Sequence, residues 1–193
     1  MKTHNRAMLA FDRIRIETPR LLLRPFRHAD APDLFAVYSD PQVFRHIPIG
    51  DWKHVDEAHQ RIARDVNMMA EGTYVRLAVE RREDARVIGE VLLFNFARES
   101  RRAEIGYALA RRAWGRGYAA EALPPLVELG FRDLELNRIE AIIDPRNTAS
   151  AKVLGRLGFR HEGTLREHCV VRGETSDSGL YGLLRAEWSG KVS

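Results

Sequence analysis

The chain has 193 residues, of which 45% are hydrophobic and 30% charged, so it can build the core of one ordinary globular domain. Its net charge of +4 and its pI of about 9.5 suggest nucleic-acid binding, but the arginines are scattered through every segment and lysine is rare, so we expect no specific nucleic-acid partner. No stretch approaches the roughly 20 continuous apolar residues of a membrane-spanning helix, and the single cysteine, Cys169, excludes an internal disulfide and a cysteine-based zinc site.

The organisation of the chain predicts a single domain. Residues 1–12 lack a long apolar run followed by a small-residue cleavage site, and they predict a loose N-terminal tail. Residues 13–193 contain no internal repeat, low-complexity block or flexible linker, and they predict one domain. Because a lone cysteine suits a reducing compartment, we expect a cytoplasmic protein.

Hydrophobic spacing predicts elements in the order βααβββαβαββ. In chain order these are a strand over residues 13–26, helices over 28–38 and 55–70, strands over 74–81, 86–96 and 102–109, a helix over 117–134, a strand over 138–143, a helix over 148–157, and strands over 160–172 and 175–188. Short connections between consecutive strands favour antiparallel hairpins. The expected fold is therefore α/β, with a mixed, largely antiparallel sheet of about seven strands flanked by helices.

A glycine-bearing turn precedes the helix predicted over residues 117–134. It reads Arg111-Arg112-Ala113-Trp114-Gly115-Arg116-Gly117-Tyr118-Ala119. Unpaired N–H groups and the helix dipole at such a helix start would stabilise a pyrophosphate. Gly115 and Gly117 let the backbone approach phosphate oxygens closely, and Arg112 and Arg116 can add charge-assisted bonds. The alternative is a tight turn that binds nothing.

The spacing Gly115-x-Gly117-x-x-Ala120 also resembles the dinucleotide fingerprint of dehydrogenases, with Asp144 as the ribose-binding carboxylate. Two features count against this alternative. The fingerprint strand runs directly into its first glycine, whereas residues 110–114 intervene here. The strands that precede the turn are also predicted to be antiparallel, which does not fit a βαβαβ unit.

Five blocks, in order and with matching spacing, resemble the GNAT acetyltransferase superfamily and, within it, the RimJ/RimL-like N-acetyltransferases. The superfamily signature Arg/Gln-x-x-Gly-x-Gly/Ala matches Arg112-Ala113-Trp114-Gly115-Arg116-Gly117. The other blocks are Thr18-Pro19-Arg20-Leu21-Leu22-Leu23-Arg24, Glu104-Ile105-Gly106-Tyr107-Ala108-Leu109, Asp144-Pro145-Arg146-Asn147-Thr148-Ala149-Ser150 with its continuation to Leu154, and Asp177-Ser178-Gly179-Leu180-Tyr181. The resemblance extends over about residues 16 to 188.

The resemblance implies a sheet that splays between its fourth strand, residues 102–109, and its fifth, residues 138–143, with acetyl-CoA bound in the opening. The pantetheine arm would lie against the backbone of Ala108, Leu109 and Ala110, where a free N–H would stabilise the oxyanion. A fully paired strand is the alternative and would abolish this slot. The pyrophosphate-binding residues that the resemblance implies are Arg112, Ala113, Trp114, Gly115, Arg116, Gly117 and Tyr118. No metal site is expected, because the histidines and Cys169 lack metal-ligand spacing.

Two side chains are the expected catalytic groups. The attacking amine must be neutral, although an α-amine titrates at about 8 and a lysine at about 10.4, so a base would help. Glu104 stands where the resemblance implies a catalytic carboxylate; its alternative role is to pair with an arginine on a solvated face, and Arg102 lies two residues away on the same side. Ser150, the serine of the family's Asn-x-x-Ser, would donate a proton or a hydrogen bond to the departing thiolate, or would only solvate the first turn of its helix.

Other polar groups remain open as site residues. Asn147 would reach the pantetheine or act only as a helix cap. The weaker candidates are Glu167 and Asp177 for the base and Tyr181 for the proton donor. In the predicted loop over residues 41–52, the superfamily usually shapes its acceptor site, and the side chains there include Phe44, His46 and Trp52. His46 would steer or deprotonate an amine, or would be a surface histidine.

The sequence therefore predicts direct transfer of an acetyl group from acetyl-CoA to a primary amine. The branch favours the N-terminal α-amine of a ribosomal or other protein as the acceptor, with a polyamine or an aminoglycoside as the alternative. A non-catalytic acetyl-CoA sensor is the alternative function, but it would need only the phosphate cradle, and Glu104 and Ser150 favour the enzyme. Dimers are common in the resembled branch, so a homodimer is an expectation.

Overall fold

The computed structural model describes residues 11–47, 49 and 51–190. They form one sheet of 8 strands in the order β1-β2-β3-β4-β5-β6-β8-β7. The strands are β1 (Ile16–Glu17), β2 (Leu21–Arg24), β3 (Val75–Arg81), β4 (Arg86–Ala97), β5 (Arg102–Leu109), β6 (Arg138–Ile143), β7 (Arg160–Val171) and β8 (Glu174–Leu184). The predicted mixed, largely antiparallel sheet is confirmed, since only β5 and β6 pair in parallel.

The first predicted strand is wrong in one respect. Instead of one strand over residues 13–26, the chain forms an antiparallel pair of β1 and β2, with Ile16 opposite Leu23. The turn between them contains Pro19, whose fixed φ and missing N–H favour a turn over a continuous strand. This hairpin accounts for the eighth strand.

The described residues form four α-helices that cover the sheet: α1 (Ala31–Tyr38), α2 (Val55–Ala70), α3 (Tyr118–Glu128) and α4 (Thr148–Arg156). Helix α3 is shorter than the predicted helix, because it continues as a π-helical turn over Leu129–Asp133. Pro124 and Pro125 lie inside α3, beyond its first turn. No described helix is long and apolar enough to cross a membrane.

Two apolar clusters lie on opposite faces of the sheet. One contains residues of α3 and α4, such as Leu123 and Leu154, together with Ile105 and Leu109 of β5. The other contains residues of α1 and α2, such as Leu34, together with Ala108 of β5. Odd-numbered side chains of β5 therefore face α3 and α4, and even-numbered ones face α1 and α2, as the period of a strand requires.

The sheet opens between β5 and β6. These strands pair only through Arg102, Ala103 and Glu104, opposite Arg138, Ile139 and Glu140. Beyond Glu104, β5 continues to Leu109 with β4 as its partner on one side, while β6 continues to Ile143 with β8 as its partner on the other side. The predicted splay is therefore present, and its two sides are the free edges of β5 and β6.

Of the predicted N-terminal tail, residues 1–12, the first ten lie outside the described residues. Phe11 is buried, with 8% of its surface exposed, and its ring lies 6.2 Å from that of Phe96 on β4. In the predicted loop over residues 41–52, positions 48 and 50 also lie outside the described residues.

Candidate active site

The turn between β5 and α3 is an open backbone cradle. A short 3-10 helix, Arg111–Ala113, leads into Gly115 and Gly117, which both adopt the left-handed conformation with φ of 71° and 77°. A Cβ built on Gly115 meets no atom of residues 11–47, 49 or 51–190 within 4 Å. Within the described ranges, no protein acceptor takes a hydrogen bond from the backbone N–H groups of residues 115–120. Unpaired donors beside open space at a helix start are what an anion requires.

Arg20 fastens this cradle to the β1–β2 turn. Its Nε donates to Glu121 Oε2 at 2.6 Å, and its Nη1 donates to the carbonyl of Arg116 at 2.9 Å. Thr18 Oγ1 donates to Glu121 Oε1 at 2.7 Å, and the Arg20 N–H donates to the same oxygen at 2.7 Å. The Arg20 guanidinium also lies 4.7 Å from the centre of the Tyr118 ring. We call Thr18, Arg20 and Glu121 the clasp.

The clasp was not predicted. In the sequence, the Thr18-Pro19-Arg20 block carries only part of the family resemblance, and about 100 residues separate Arg20 from Glu121. Burial raises the pKa of Glu121, but the hydrogen bonds from Thr18 and Arg20 outweigh it and hold the pKa below its ordinary value. Glu121 is therefore an anion in the first turn of α3, and Arg20 neutralises it beside the cradle.

The side chains of the cradle point in different directions. Arg112 lies along β4, where its Nη2 donates to the Val87 carbonyl at 3.4 Å and lies 3.8 Å from Asp33. The Trp114 indole Nε1 donates to the Leu109 carbonyl at 2.7 Å, which ties the turn to the end of β5. Arg112 and Arg20 thus both have protein partners, and the unpaired donors of the turn are its backbone amides.

The backbone of β5 presents alternate residues to the opening. In a strand, the N–H and C=O groups of successive residues point to opposite neighbours. The Ala110 N–H donates to the Ile88 carbonyl of β4 at 2.8 Å, whereas the Arg101 carbonyl accepts from Asn137, just ahead of β6, at 2.6 Å. Even-numbered residues of β5 therefore face β4, and odd-numbered residues face β6 or, beyond Glu104, the opening.

This alternation decides which of the predicted pantetheine-binding residues direct a backbone N–H toward the opening. Of Ala108, Leu109 and Ala110, only Leu109 directs its N–H toward the opening, because the backbone groups of the other two face β4. Tyr107 also directs its backbone groups toward the opening, and this role was not predicted for it. The free donors for a thioester carbonyl are therefore the N–H groups of Tyr107 and Leu109.

Ser150 and Asn147 lie at the start of α4, on the other side of the opening. Asn147 is the helix cap, since its Oδ1 accepts from the Ser150 N–H at 3.1 Å. That bond uses the amide oxygen and leaves the amide nitrogen of Asn147 as a donor for a ligand. The Ser150 hydroxyl is 2.9 Å from the hydroxyl of Tyr107 on β5.

Glu104 lies at the point where β5 and β6 separate, on the face covered by α1 and α2. Arg102 does not pair with it, because its Nη1 donates to Glu140 Oε2 at 2.6 Å. Instead, Glu104 Oε1 accepts from Asn95 Nδ2 at 2.9 Å. Asn95 belongs to a bulge of β4 and has a φ of 51°. The bulge thus fixes one oxygen of the carboxylate and leaves the other as an acceptor.

His46 is not a freely exposed surface residue. Its Nδ1 lies 3.4 Å from Asp144 Oδ2, and Arg45 Nε donates to its Nε2 at 2.9 Å. Asp144 itself is buried and accepts from Ser176 and Arg146, whose guanidinium holds the pKa of Asp144 well below its usual range. Asp144 is therefore fully used within the protein, which removes the ribose-binding role considered for it.

The weaker candidates lie on the β7–β8 hairpin. The Glu167 N–H donates to Asp177 Oδ1 at 2.8 Å, so Asp177 stabilises a bulge of β7. The Tyr181 ring on β8 lies tilted against the His161 ring, with ring centres 5.1 Å apart. None of these contacts reaches Glu104 or Ser150.

The face covered by α1 and α2 carries an aromatic wall over a buried ionic network. The Trp52 ring stacks on Tyr38 at 4.2 Å, and Phe44 packs on the same ring at 4.4 Å. The Tyr38 hydroxyl donates to Glu90 at 2.5 Å, and Arg76 donates to the same carboxylate at 2.6 Å. A cleft of about 400 Å³ opens beside Tyr38 and Trp52. It is the candidate acceptor cleft.

Comparison with known proteins agrees with this geometry. The sequence model of the family described as acetyltransferase (GNAT) domain matches residues 20–160 of the chain. The chain is 38% identical to uncharacterized N-acetyltransferase p20 of Bacillus licheniformis over 173 residues, and this match covers 90% of this chain and 97% of that protein. It is 26% identical over 186 residues to the ribosomal protein uS5-alanine N-acetyltransferase of Escherichia coli, covering 92% and 94% of the two chains. Mycobacterium smegmatis RimJ, solved in complex with CoA-disulfide, has a TM-score of 0.79 at 27% identity, covering 86% of this chain and 83% of that one.

The fold, the cradle and the splayed sheet thus define an acyltransferase, and the chain belongs to the GNAT acetyltransferase family. Within the family, its relatives and structural neighbours include RimJ-like N-acetyltransferases. Members of the family use acetyl-CoA. The free amides of the cradle, the open space at Gly115 and the unpaired edge of β5 fit this cosubstrate.

Loss of the clasp is expected to weaken acetyl-CoA binding. Arg20→Gln should raise the Kd for acetyl-CoA about tenfold, or about 1.4 kcal/mol, because the Glu121 carboxylate is then uncompensated beside the phosphates. Titration calorimetry with acetyl-CoA measures this change. Arg15→Gln is the matched control, since Arg15 is an exposed arginine at the same end of the chain and, within the described part of the chain, pairs only with Glu17. Equal affinities for Arg20→Gln and the wild type would contradict the role of the clasp.

Proposed function

We propose that this enzyme transfers the acetyl group of acetyl-CoA directly to the N-terminal α-amine of a protein. The observation that carries the acetyl-transfer part is the opening between β5 and β6, which ends on the free amides of the cradle. Similarity over 92% of the chain to an enzyme named for the alanine of ribosomal protein uS5 supports the acceptor class. The pKa of an α-amine is also about 8, whereas that of a lysine is about 10.4. A carboxylate therefore deprotonates an α-amine more readily than a lysine.

In this proposal, the chain holds the cosubstrate through three groups. The backbone N–H groups of residues 115–120, together with the helix dipole of α3 and Arg20, bind the pyrophosphate. The free edge of β5 at Tyr107 and Leu109 pairs with the pantetheine arm, and the amide nitrogen of Asn147 adds a donor from the other side. When bound, acetyl-CoA supplies an activated acyl group.

The two proposed catalytic side chains project on opposite sides of the open edge. Glu104 lies on the face of the sheet that α1 and α2 cover, whereas Tyr107 and its partner Ser150 lie on the side of α3 and α4. The Glu104 carboxylate, directly or through a water, accepts the proton of the attacking amine. Ser150 donates a hydrogen bond toward the leaving sulfur. This arrangement separates the nucleophile from the leaving group, as direct transfer in a ternary complex requires.

A panel of amines tests the acceptor. The protein is incubated with acetyl-CoA and peptides of different first residues, polyamines or aminoglycosides, while free thiol and acetylated product are followed. We expect thiol release with unblocked peptides and none with peptides whose α-amine is already acetylated. Release with polyamines or aminoglycosides alone would make the enzyme a small-amine acetyltransferase. Tight acetyl-CoA binding without release for any amine would indicate a sensor.

Glu104→Gln is expected to lower kcat about 100-fold, which is the lower range for removing a general base. The variant keeps the shape of the side chain and can still accept from Asn95. Its kcat should recover at alkaline pH, where more of the amine is neutral, so the pH dependence of kcat separates this effect from misfolding. Glu140→Gln is the comparison, because Glu140 lies opposite Glu104 but is held by Arg102 and Arg138. Wild-type kcat in Glu104→Gln would rule out this carboxylate as the base.

The proposal also includes a cytoplasmic location, since Cys169 is the single cysteine and is free.

A further inference from the structure

Tyr107 and Ser150 form a pair of hydroxyl groups that bridges the opening. Tyr107 lies on the part of β5 that has no β6 partner, and Ser150 lies in the first turn of α4, which follows β6. Their oxygens are 2.9 Å apart, although the residues are 43 positions apart in the chain. Tyr107 is partly buried against the core formed with α3 and α4, so its position is set by packing.

The chemistry of the pair sets the direction of the bond. A phenol is a stronger acid than an aliphatic alcohol, so the Tyr107 O–H donates and Ser150 Oγ accepts. Burial raises the pKa of Tyr107 more than the contact with Ser150 lowers it, so the phenol stays protonated and remains a donor at neutral pH. The Ser150 N–H already donates to Asn147 Oδ1. The serine hydrogen is therefore the one donor of Ser150 that is left for a ligand.

We propose that Tyr107 is a positioning residue that acts through Ser150: it orients the serine hydroxyl so that the serine hydrogen points at the sulfur of coenzyme A in the opening. This inference rests on the proposed function and adds to it a residue outside the predicted catalytic set. A hydroxyl that accepts a hydrogen bond also becomes a better donor, so the two bonds strengthen each other.

The reaction balances without a proton leaving either hydroxyl. As the amine nitrogen bonds to the acyl carbon, the carbon–sulfur bond breaks and its electron pair stays on sulfur. The Ser150 O–H stabilises that charge by a hydrogen bond, and Tyr107 holds Ser150 in place. The proton lost by the amine passes to Glu104 or to a water, and the sulfur is protonated from solvent after release.

Free coenzyme A tests this inference without an acceptor. The ionised fraction of the bound thiol is read from thiolate ultraviolet absorbance at a pH close to the ordinary thiol value of about 8.5. We expect the wild-type protein to raise this fraction above that of coenzyme A in buffer, and Tyr107→Phe and Ser150→Ala each to lower it. The double variant Tyr107→Phe/Ser150→Ala should match Ser150→Ala, because Tyr107 acts through the serine.

Turnover gives a second readout. Tyr107→Phe is expected to lower kcat about fivefold, which corresponds to about 1 kcal/mol for one hydrogen bond, with an unchanged KM for acetyl-CoA. The matched control is Tyr74→Phe, which loses a hydroxyl bonded to Asp65 at 2.5 Å on the face of α2. It should reduce the Tm without altering the thiolate fraction.

The outcomes separate this inference from the proposed function. Equal thiolate fractions in the wild type and Tyr107→Phe, with acetyl transfer intact, would overturn the role of Tyr107 alone. If the two substitutions lowered the thiolate fraction independently, so that the factor in the double variant equalled the product of the two single factors, the role of Tyr107 through Ser150 would also be overturned. If Tyr181→Phe lowered the fraction and Tyr107→Phe did not, Tyr181 would be the group that acts. Absence of coenzyme A binding by the wild-type protein would overturn both proposals.

Discussion

Gly117→Glu is expected to weaken acetyl-CoA binding by at least about 100-fold, or about 2.7 kcal/mol. Gly117 is the N-cap of α3 in the left-handed conformation, and a Cβ there would lie 3.5 Å from Arg20 Nη2. A glutamate at this position adds negative charge at the proposed pyrophosphate site and competes for Arg20. It also places a non-glycine residue in a conformation that costs about 1–2 kcal/mol. Titration calorimetry of the folded variant with acetyl-CoA measures the loss.

Gly173→Glu controls for both charge and backbone strain. Gly173 lies in the β7–β8 turn, has a φ of 84°, and a Cβ there meets no atom of the described residues within 4 Å. We expect this control to lose stability but to keep its affinity for acetyl-CoA. If the two variants bound acetyl-CoA equally well, the turn before α3 would not be the phosphate site.

Glu90→Ala is expected to cost about 3–5 kcal/mol of the free energy of unfolding, the range for removing one partner of a buried ionic group. Glu90 is 2% exposed and lies between Arg76 and the hydroxyl of Tyr38, with Arg61 3.6 Å away. Its removal leaves buried guanidinium groups without their carboxylate. Denaturant unfolding measures the loss, and Glu83→Ala, at an exposed glutamate in the β3–β4 turn, should change stability by less than about 0.5 kcal/mol.

Glu90→Gln tests whether the charge of Glu90 contributes to stability, in a variant that keeps the side-chain volume. Burial raises the pKa of Glu90, but Arg76, Arg61 and the Tyr38 hydroxyl outweigh it, and the pKa lies below the ordinary 4.5. A lowered pKa in the folded state means that the ionised group adds stability above pH 4.5 and that this stability is lost as the pH falls through the lower folded value. The stability difference between the wild type and Glu90→Gln should therefore shrink on acidification. A constant difference down to acidic pH would show that the charge of Glu90 does not contribute.

Local residue patterns predicted some features of the candidate site and left others open. The glycines of the cradle were predicted because a helix start beside small residues has a local signature, and both adopt the left-handed backbone that glycine favours. The cap role of Asn147 was one of two alternatives in the sequence, and the structure shows that its oxygen does cap α4. For Glu104, the structure removes Arg102 as the partner and provides Asn95. The catalytic roles of Glu104 and Ser150 remain predictions.

The sequence by itself determined the order of the elements, the mixed sheet, and the position of the glycine-bearing turn before α3, while the splay was implied by the family resemblance. Each of these depends on local spacing, on turn residues or on motifs whose members are close in the chain, and such signals survive without coordinates. The division of the first strand into β1 and β2 had a local signal as well, at Pro19, which the apolar run of Leu21 to Leu23 outweighed.

Only the tertiary structure decided which side chains meet. The bond between Arg20 and Glu121, the hydroxyl pair of Tyr107 and Ser150, and the contact of His46 with Asp144 join segments that are far apart in sequence. Which backbone amides of β5 are free depended on the pairing register with β4 and on the point where β6 departs. A single sequence does not encode such pairings in any local pattern, because they follow from the packing of the whole sheet.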